Sequence, residues 1–313
     1  MPIWAFLASM LVALMWAVSP VLLKRGMTRC TPNDVPVVRS ISFFLTMALI
    51  MLITQPGKMP FMTVRLFSGL AGSVLISSII GDLLYVYSVQ KIGASLAVTV
   101  GSGYPLISVA VAVVLLDEHA GWLVWCGTIL IISGIAVIRL DSAREEGTKA
   151  GYLLVDFDEQ VKRRANMTGG IAMALGSAIC SGINIPLIKL LMKEGGWNPT
   201  ESYFLRGTVF FFMAWAIREA QHRFSPDSIS PIEKMPVMVW AALLGSGVIG
   251  MALSGVLFAL CLQNFPVSVI SPITASSPFM TVLLSRIFLK EKLSGVQSAG
   301  VALVIAGSVS VSL

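Results

Sequence analysis

Ten runs of about 20 predominantly apolar residues follow one another along the chain, and each is long enough to cross a bilayer as a helix. Hydrophobic residues make up 56% of the 313 residues and charged residues only 12%. An average soluble domain carries about twice that proportion of charge. The sequence therefore predicts an all-α membrane protein with ten transmembrane helices, near residues 3–23, 34–54, 66–89, 93–116, 120–138, 168–190, 199–217, 236–261, 266–289 and 294–312.

One long hydrophilic segment divides these runs into two sets of five. It extends from Arg139 to about Met167 and contains six basic and six acidic residues, so it reads as a solvated connection. We expect three parts in the chain: a first five-helix repeat over residues 1–140, a hydrophilic linker over 141–167 and a second five-helix repeat over 168–313.

The two sets of five runs resemble each other in sequence. A shift of 173 positions aligns glycine, proline and polar residues of the two sets. A shift of 165 aligns Lys24 with Lys189, and a shift of 167 aligns Arg39 with Arg206. Since five is odd, the second copy must enter the membrane in the opposite orientation. This predicts two inverted repeats, which is the construction of many secondary transporters. The pairs at the 173-residue shift include Gly72 with Gly245, Gln90 with Gln263, Ser95 with Ser268, Pro105 with Pro278, Glu118 with Glu291, Gly127 with Gly300, and Gly134 with Gly307.

The chain offers few residues for catalysis or for metal binding. It has two histidines, and its four cysteines form no CxxC pair, so no metal and no other cofactor is expected. No glycine-rich loop ending in Lys-Ser/Thr occurs, which argues against an ATP-driven pump. The net charge of +6 is spread between apolar runs, so nucleic acid is not an expected partner. We therefore expect the protein not to be an enzyme.

Charged residues inside the apolar runs are the first candidates for function, because a charge in the membrane is costly. Asp82 lies well inside its run, and its repeat partner is Gly255, so the repeat does not explain it. We expect Asp82 to bind a proton or a cationic group of the substrate. The alternative is a structural pair with Lys24, Lys189 or an arginine.

Four matched cations, Arg39, Arg206, Lys24 and Lys189, predict a positive rim around a central cavity. Such a rim favours an anionic or zwitterionic substrate. The alternatives are contacts between helices for the arginines, and for the lysines a reach to the membrane surface. Glu118 and Glu291 end the fourth and ninth runs; each is a candidate gate or, alternatively, a helix-end contact.

Two glycine- or proline-rich interruptions occur at matching places in the fourth and ninth runs, over Gly101–Pro105 and Pro272–Pro278. Paired interruptions are the best sequence indication of a transporter's binding site. The alternative for each hydroxyl is a bond to its own helix. The candidate lining residues are Ser102, Tyr104, Thr274, Ser276 and Ser277, with Asn184 and Tyr85 from neighbouring runs.

The doubled set of residues resembles the EamA-type members of the drug/metabolite transporter superfamily. In each half a lysine ends the first helix, an arginine lies in the second, and a later hairpin carries Pro, Glu and two Gly. Two features depart from that pattern: Ser181 stands where the first half has Trp16, and the linker is long. The resemblance implies ten helices and the export or exchange of small metabolites, amino acids or drugs.

These observations predict a secondary active transporter that moves a small polar metabolite by alternating access. The preferred substrate is an amino-acid-like zwitterion or an organic anion, and Asp82 offers a route for proton coupling. The alternative is an exporter of cationic drugs or amines. The expected partners are the substrate, the lipid bilayer and a coupling proton, and a homodimer is compatible with the sequence. The expected location is a bacterial inner membrane or a plasma membrane.

The orientation in the membrane has two conflicting indications. Sixteen Lys and Arg residues fall on the side of the loops that follow odd-numbered runs, and four fall on the other side. The positive-inside rule then places both termini outside. The family resemblance implies that both termini face the cytoplasm.

Overall fold

The structure is a computed structural model that describes residues 2–26, 34–149, 157–224, 235–277, 279–280 and 294–312. Within these ranges, the side chains of residues 20–21, 23–26, 89–90, 93–96, 98, 139–149 and 157–166 are not described. Of the predicted site residues, Glu291 and the side chain of Lys24 lie outside the described part.

Every regular element in the described ranges is helical. Twelve α-helices are present there: α1 (Ile3–Gly26), α2 (Val35–Thr54), α3 (Val64–Val74), α4 (Asp82–Gly101), α5 (Tyr104–Leu116), α6 (Trp122–Lys149), α7 (Phe157–Gly195), α8 (Pro199–Phe224), α9 (Val237–Gly247), α10 (Ser254–Asn264), α11 (Val267–Thr274) and α12 (Gly295–Ser312).

Many of these helices are suited to a membrane. In the described ranges, six helical stretches are long and apolar enough to cross a bilayer: Val35–Thr54, Val64–Ser88, Thr99–Leu116, Met167–Gly195, Val237–Asn264 and Gly295–Ser312. Two shorter apolar helices, Ile3–Ser19 and Trp122–Ile138, coincide with the first and fifth predicted spans. Helix α8 covers the seventh span, and residues 278 and 281–289 of the ninth lie outside the described part. A polytopic membrane protein is thus the observed class, and the count of ten remains a prediction.

Two short π-helical segments interrupt the third and eighth predicted spans. The first (Leu75–Gly81) joins α3 to α4, and the second (Val248–Leu253) joins α9 to α10. In the first, the Asp82 backbone N–H bonds to the carbonyl of Ser77, five residues earlier. The segments begin 173 positions apart, which is the shift that aligns the two halves. The wider turn changes which side chains share a face of each helix.

The boundary predicted between the third and fourth spans is wrong in one respect. Helix α4 continues through Gly93 to Gly101, and the break falls at Ser102–Gly103. In the second half, the residue equivalent to Gly93 is Pro266, and there a new helix begins. Proline has no N–H to continue a helix, whereas a single glycine only weakens one. The predicted linker is also partly helical, because α6 and α7 extend into it from either side.

Helices α6 and α12 make a close backbone approach between the two halves. A Cβ atom added to Gly127 would lie 2.7 Å from the Gly307 carbonyl oxygen, and one added to Gly134 would lie 2.5 Å from that of Gly300. Residue numbers rise along α6 as they fall along α12, so the two helices run antiparallel. Small residues at such positions let helix backbones meet within a bilayer.

Aromatic residues join α2 and α8 at the centre of the bundle. Phe44 stacks on Phe211 with 5.2 Å between ring centroids, and Phe43 lies 6.3 Å from Phe210. Both are pairs of equivalent residues at the 167-residue shift. This contact packs α2, which carries Arg39, against α8, which carries Arg206.

Candidate functional site

A central cavity of about 130 Å³ lies between α1, α2, α4 and the second π segment. Of the predicted site residues, Arg39, Asp82 and Tyr85 meet there. The cavity is lined by Trp16, Ser19, Arg39, Asp82, Tyr85, Val86 and Gly250. Its wall therefore combines one cation, one carboxylate, two aromatic rings and the hydroxyl groups of Ser19 and Tyr85.

The charged centre of this cavity is an ion pair. Arg39 Nη1 donates to Asp82 Oδ2 at 2.8 Å, and Asp82 is the first residue of α4, directly after the first π segment. The Arg39 side chain is 10% exposed and that of Asp82 is 32% exposed, so the carboxylate is the more open partner. The Arg39 Nε atom is buried and has no hydrogen-bond partner in the described part. This N–H is therefore unused in the conformation described here.

Polar contacts hold α1 against the second half at the cavity wall. Trp16 Nε1 donates to Ser254 Oγ at 3.2 Å, and Ser19 Oγ donates to the Ser246 carbonyl at 3.4 Å. The Trp16 ring also packs against Phe258, with 5.2 Å between ring centroids. These contacts fix the indole and the Ser19 side chain at the edge of the cavity.

A second polar cluster surrounds Arg206, at the equivalent place in the other half. Arg206 Nη1 donates to Ser73 Oγ at 2.5 Å and Nη2 to Ser77 Oγ at 3.3 Å. Ser73 Oγ in turn donates to Asn184 Oδ1 at 2.6 Å. The Arg206 Cζ lies 5.8 Å from the centre of the Tyr203 ring. Among the residues that the structure describes, no carboxylate pairs with this buried guanidinium.

The two clusters correspond through the repeat, yet they have diverged. Ser19 is equivalent to Asn184, and Ser246 to Ser73, so the two polar contacts between halves are related pairs. Where the first half has Asp82, the second has Gly255, and the Tyr203 ring packs directly against that glycine. The aromatic ring therefore fills, beside Arg206, the place that the Asp82 carboxylate has beside Arg39.

Glu118 and Lys189 form a separate contact where α5, α7 and α11 end or begin. Lys189 Nζ donates to Glu118 Oε1 at 2.9 Å and to the Phe265 carbonyl at 2.8 Å. The same carboxylate accepts the Val267 N–H at 2.9 Å and the Ser268 N–H at 3.0 Å. Glu118 thus binds the orphan N–H groups that begin α11, where negative charge is favourable.

These contacts also set the protonation of Glu118, which lies in the connection between α5 and α6. Burial raises its pKa, but the Ser268 and Val267 N–H groups and the Lys189 ammonium lower it more. The net pKa lies below the usual 4.5, so Glu118 is ionised at neutral pH. A carboxylate in this position can hold α11 through charge as well as through hydrogen bonds.

The residues of the two interruptions lie together, away from the central cavity. The buried hydroxyl of Tyr104 faces Thr274 without forming a well-aligned hydrogen bond. Thr274 and Ser276 are buried, and their hydroxyls bond to carbonyls of their own helix. Ser102 is buried as well, and Ser277 is half-buried. None of these five residues lines the Arg39–Asp82 cavity.

Sequence reasoning missed the partners of Arg206. Gly69, Ser73, Ser77 and Gly81 recur at every fourth position of the third predicted span, which favours close helix packing. Two of them, Ser73 and Ser77, also bind the guanidinium. Nothing in the sequence around Tyr203 indicated that its ring lies beside Arg206. Aligning the halves could have identified Ser73, because its equivalent, Ser246, contacts the equivalent of Asn184.

Comparisons with known proteins agree with this architecture. A solved structure described as "Crystal structure of protein" has a TM-score of 0.75 and 12% sequence identity, and the match covers 99% of this chain and 96% of that one. At that identity the likeness establishes the fold alone. No curated protein matches the sequence.

The pattern of the EamA-like transporter family matches residues 3–140 and residues 168–313. The two matches cover nearly the whole chain as two repeats and leave out the hydrophilic connection. The drug/metabolite transporter superfamily, to which that family belongs, is therefore the one that the sequence indicated. This multi-pass membrane protein belongs to the EamA-like transporter family.

Proposed function

We propose that the protein is a secondary active transporter that moves a small amino-acid-like zwitterion or organic anion by alternating access. The observation that carries this proposal is the ion pair of Arg39 and Asp82 in the wall of a central cavity. Buried charges within apolar helices are costly, and they mark substrate and ion sites in membrane proteins.

Two similar bundles in opposite orientations are a common basis for alternating access, and two observations support this arrangement. The α6 and α12 helices are antiparallel, and their contacts are reciprocal, since Gly127 with Gly307 becomes Gly300 with Gly134 when the repeats are exchanged. Contacts of this self-complementary kind are what a two-fold axis produces. Phe44 and Phe211, which are equivalent residues, touch each other as residues near such an axis do.

The cavity fits a compact polar substrate. The Arg39 guanidinium lines the cavity and can donate to a carboxylate, and the open side of the Asp82 carboxylate can accept from an ammonium group. The Trp16 and Tyr85 rings beside them offer faces that attract a cation. A volume of about 130 Å³ suits a small amino acid or a short organic anion.

The same pair suggests how a proton is coupled to transport. When Asp82 Oδ2 takes a proton from a hydronium ion, its charge is neutralised and the ionic bond to Arg39 is lost, while Oδ1 can still accept a hydrogen bond from a substrate ammonium. The guanidinium is then available to bind a substrate carboxylate. Release of the substrate lets the pair form again as the proton leaves. We propose this exchange as the coupling step.

The contact between Glu118 and Lys189 is proposed as a gate on one side of the membrane. It connects the end of the fourth span and the sixth span to the start of α11, so it joins both halves. By the repeat, Glu291 and Lys24 are proposed to serve the other side. Ser102, Tyr104, Thr274, Ser276 and Ser277, which are buried or half-buried here, are proposed to line the path in another conformation.

Export of a cationic drug is the competing function, and one observation favours it. Asp82 is exposed to the cavity beside two aromatic rings, which is a suitable environment for a quaternary amine. Against it, Arg39 already neutralises that carboxylate, and Arg206 adds a positive charge nearby. We therefore favour a zwitterion or an organic anion over a cationic drug as the substrate.

The experiment is a thermal-shift titration of the purified protein in detergent with alanine, serine, glutamate, succinate and tetraethylammonium. A ligand at 100 times its Kd should stabilise the fold by about 2.7 kcal/mol. We expect a shift with an amino acid or an anion that Arg39→Gln removes. Arg65→Gln is the matched control, because Arg65 is exposed and pairs with Glu194 away from the cavity. A shift with tetraethylammonium that Asp82→Asn removes would establish the competing function instead.

A further inference from the structure

A second cavity, the lysine pocket, lies at the ends of three helices and shares no residue with the central cavity. It has a volume of about 280 Å³, and its lining residues are Leu116, Glu118, Lys189, Met192, Lys193, Trp197 and Gln263. Leu116 is the last residue of α5, and Gln263 lies next to the last residue of α10. The pocket is therefore at the level where apolar helices give way to connections.

The charges of the lysine pocket do not cancel. Glu118 pairs with Lys189, but in the described ranges no carboxylate pairs with Lys193, although it lies one helical turn further along α7. The neighbouring Glu194 pairs with Arg65 instead, with 3.1 Å between Glu194 Oε1 and Arg65 Nη2. Two ammonium groups and one carboxylate leave the pocket with a net charge of +1.

Several hydrogen-bond donors of the pocket are also unused. The Lys189 ammonium has three N–H groups and uses two of them, on Glu118 and on the Phe265 carbonyl. The Gln263 amide is exposed at the rim. The Trp197 indole N–H is occupied by the Phe61 carbonyl at 2.8 Å, so tryptophan offers only its ring. Positive donors over an aromatic and thioether floor are suited to an oxyanion with a small organic body.

From these observations we propose that the lysine pocket binds a phosphate or carboxylate group between Lys189 and Lys193. The group is either a free anion or the headgroup of an anionic lipid. Basic pockets between membrane helices bind such headgroups, and a free phosphate presents the same oxyanion. The inference goes beyond the proposed transport function and does not require it. An anion there would share Lys189 with Glu118, so its occupancy is expected to weaken the contact that holds α11.

The test uses the full chain, with two sources of phosphate. In detergent, inorganic phosphate is titrated against sodium chloride of equal ionic strength, and the apparent Kd is read from the unfolding midpoint. In nanodiscs, phosphatidylcholine alone is compared with phosphatidylcholine containing phosphatidylglycerol. Lys193→Gln should weaken phosphate binding, or remove the stabilisation by phosphatidylglycerol, by at least tenfold. Lys193→Arg should retain the effect, and Arg223→Gln is the control for an exposed cation outside the pocket, because Arg223 pairs with Glu219 on α8.

One further variant separates this site from general salt effects. Glu118→Gln removes the competing carboxylate and raises the net charge of the pocket to about +2, so phosphate should bind more tightly than to the unaltered chain. Stabilisation by free phosphate alone identifies a soluble anion, and stabilisation by phosphatidylglycerol alone identifies a headgroup. Equal responses of the unaltered chain and Lys193→Gln to both sources would overturn the proposal.

Discussion

The Asp82 carboxylate lies 2.8 Å from the Arg39 guanidinium, whereas its equivalent in the second half, Gly255, has no side chain and packs against the Tyr203 ring. Two arginines related by the repeat are therefore in different electrostatic surroundings. Arg39 has a counterion and a cavity, and Arg206 has hydroxyl groups and an aromatic ring. This difference predicts that neutralising Arg39 lowers the stability of the fold, whereas neutralising Arg206 does not.

Arg39→Gln should destabilise the fold, because it leaves the Asp82 carboxylate without its counterion. Since Asp82 is 32% exposed, we expect a loss of about 1–3 kcal/mol, below the cost for a fully buried pair. Asp82→Asn in the same chain should restore part of the loss. Chemical unfolding of the two single variants and of the double variant measures this coupling. Losses that simply add would mean that the two residues do not interact.

Arg206→Gln should leave stability unchanged or increase it, since a buried charge that lacks a carboxylate partner is removed. Glutamine can still donate to Ser73 or Ser77. Transport should nevertheless fall by at least tenfold if this cation attracts the substrate. Unfolding and transport are measured on the same preparation. A large loss of stability would show instead that Arg206 is mainly a structural contact between helices.

Gly134→Ala should disrupt the contact between α6 and α12. The new Cβ would lie 2.5 Å from the Gly300 carbonyl oxygen, so the helices must move apart, at a cost of about 1–3 kcal/mol. Gly72→Ala is the matched control, because nothing lies within 4 Å of its added Cβ and alanine favours a helix. A shift of the unfolding midpoint distinguishes them. Equal midpoints for both variants would contradict the close approach of α6 and α12.

Glu118→Gln should weaken the anchoring of α11, because the ionised carboxylate that accepts from Lys189, Val267 and Ser268 is lost. We expect the free energy of unfolding to fall by about 1–3 kcal/mol. Since the folded-state pKa is below 4.5, this contribution is complete above about pH 5 and disappears as pH falls through the folded-state pKa. The difference in stability between the two chains should be constant from pH 6 to pH 8 and shrink below pH 4.5. A difference that changes near neutral pH would contradict this state of Glu118.

The repeat made much of this architecture predictable. Because shifts of 165 to 173 residues align the halves, the matched glycines, Arg39 with Arg206, and the family could all be identified from sequence. Asp82 was identifiable because a carboxylate in an apolar run requires a partner. The sequence could not show that this partner is Arg39 and not a lysine, because the pairing depends on how α2 and α4 pack.

Other features had no local signal. The π segments arise in ordinary apolar sequence, yet they determine that Ser77 and Asp82 contact Arg206 and Arg39 from one helix. The four bonds around Glu118 and Lys189 join positions far apart in sequence, so neither residue alone indicates them. Tyr203 fills the space beside Gly255 only because α8 and α10 pack together.

Counterflow of radiolabelled alanine, serine, glutamate, succinate and tetraethylammonium in proteoliposomes tests the central claim most directly. The account predicts that at least one amino acid or organic anion is transported. Its rate should fall by at least tenfold in Arg39→Gln, lose its pH dependence in Asp82→Asn and remain unchanged in Arg65→Gln. Transport of such a compound at an unaltered rate in both Arg39→Gln and Asp82→Asn would contradict the placement of the substrate in this cavity.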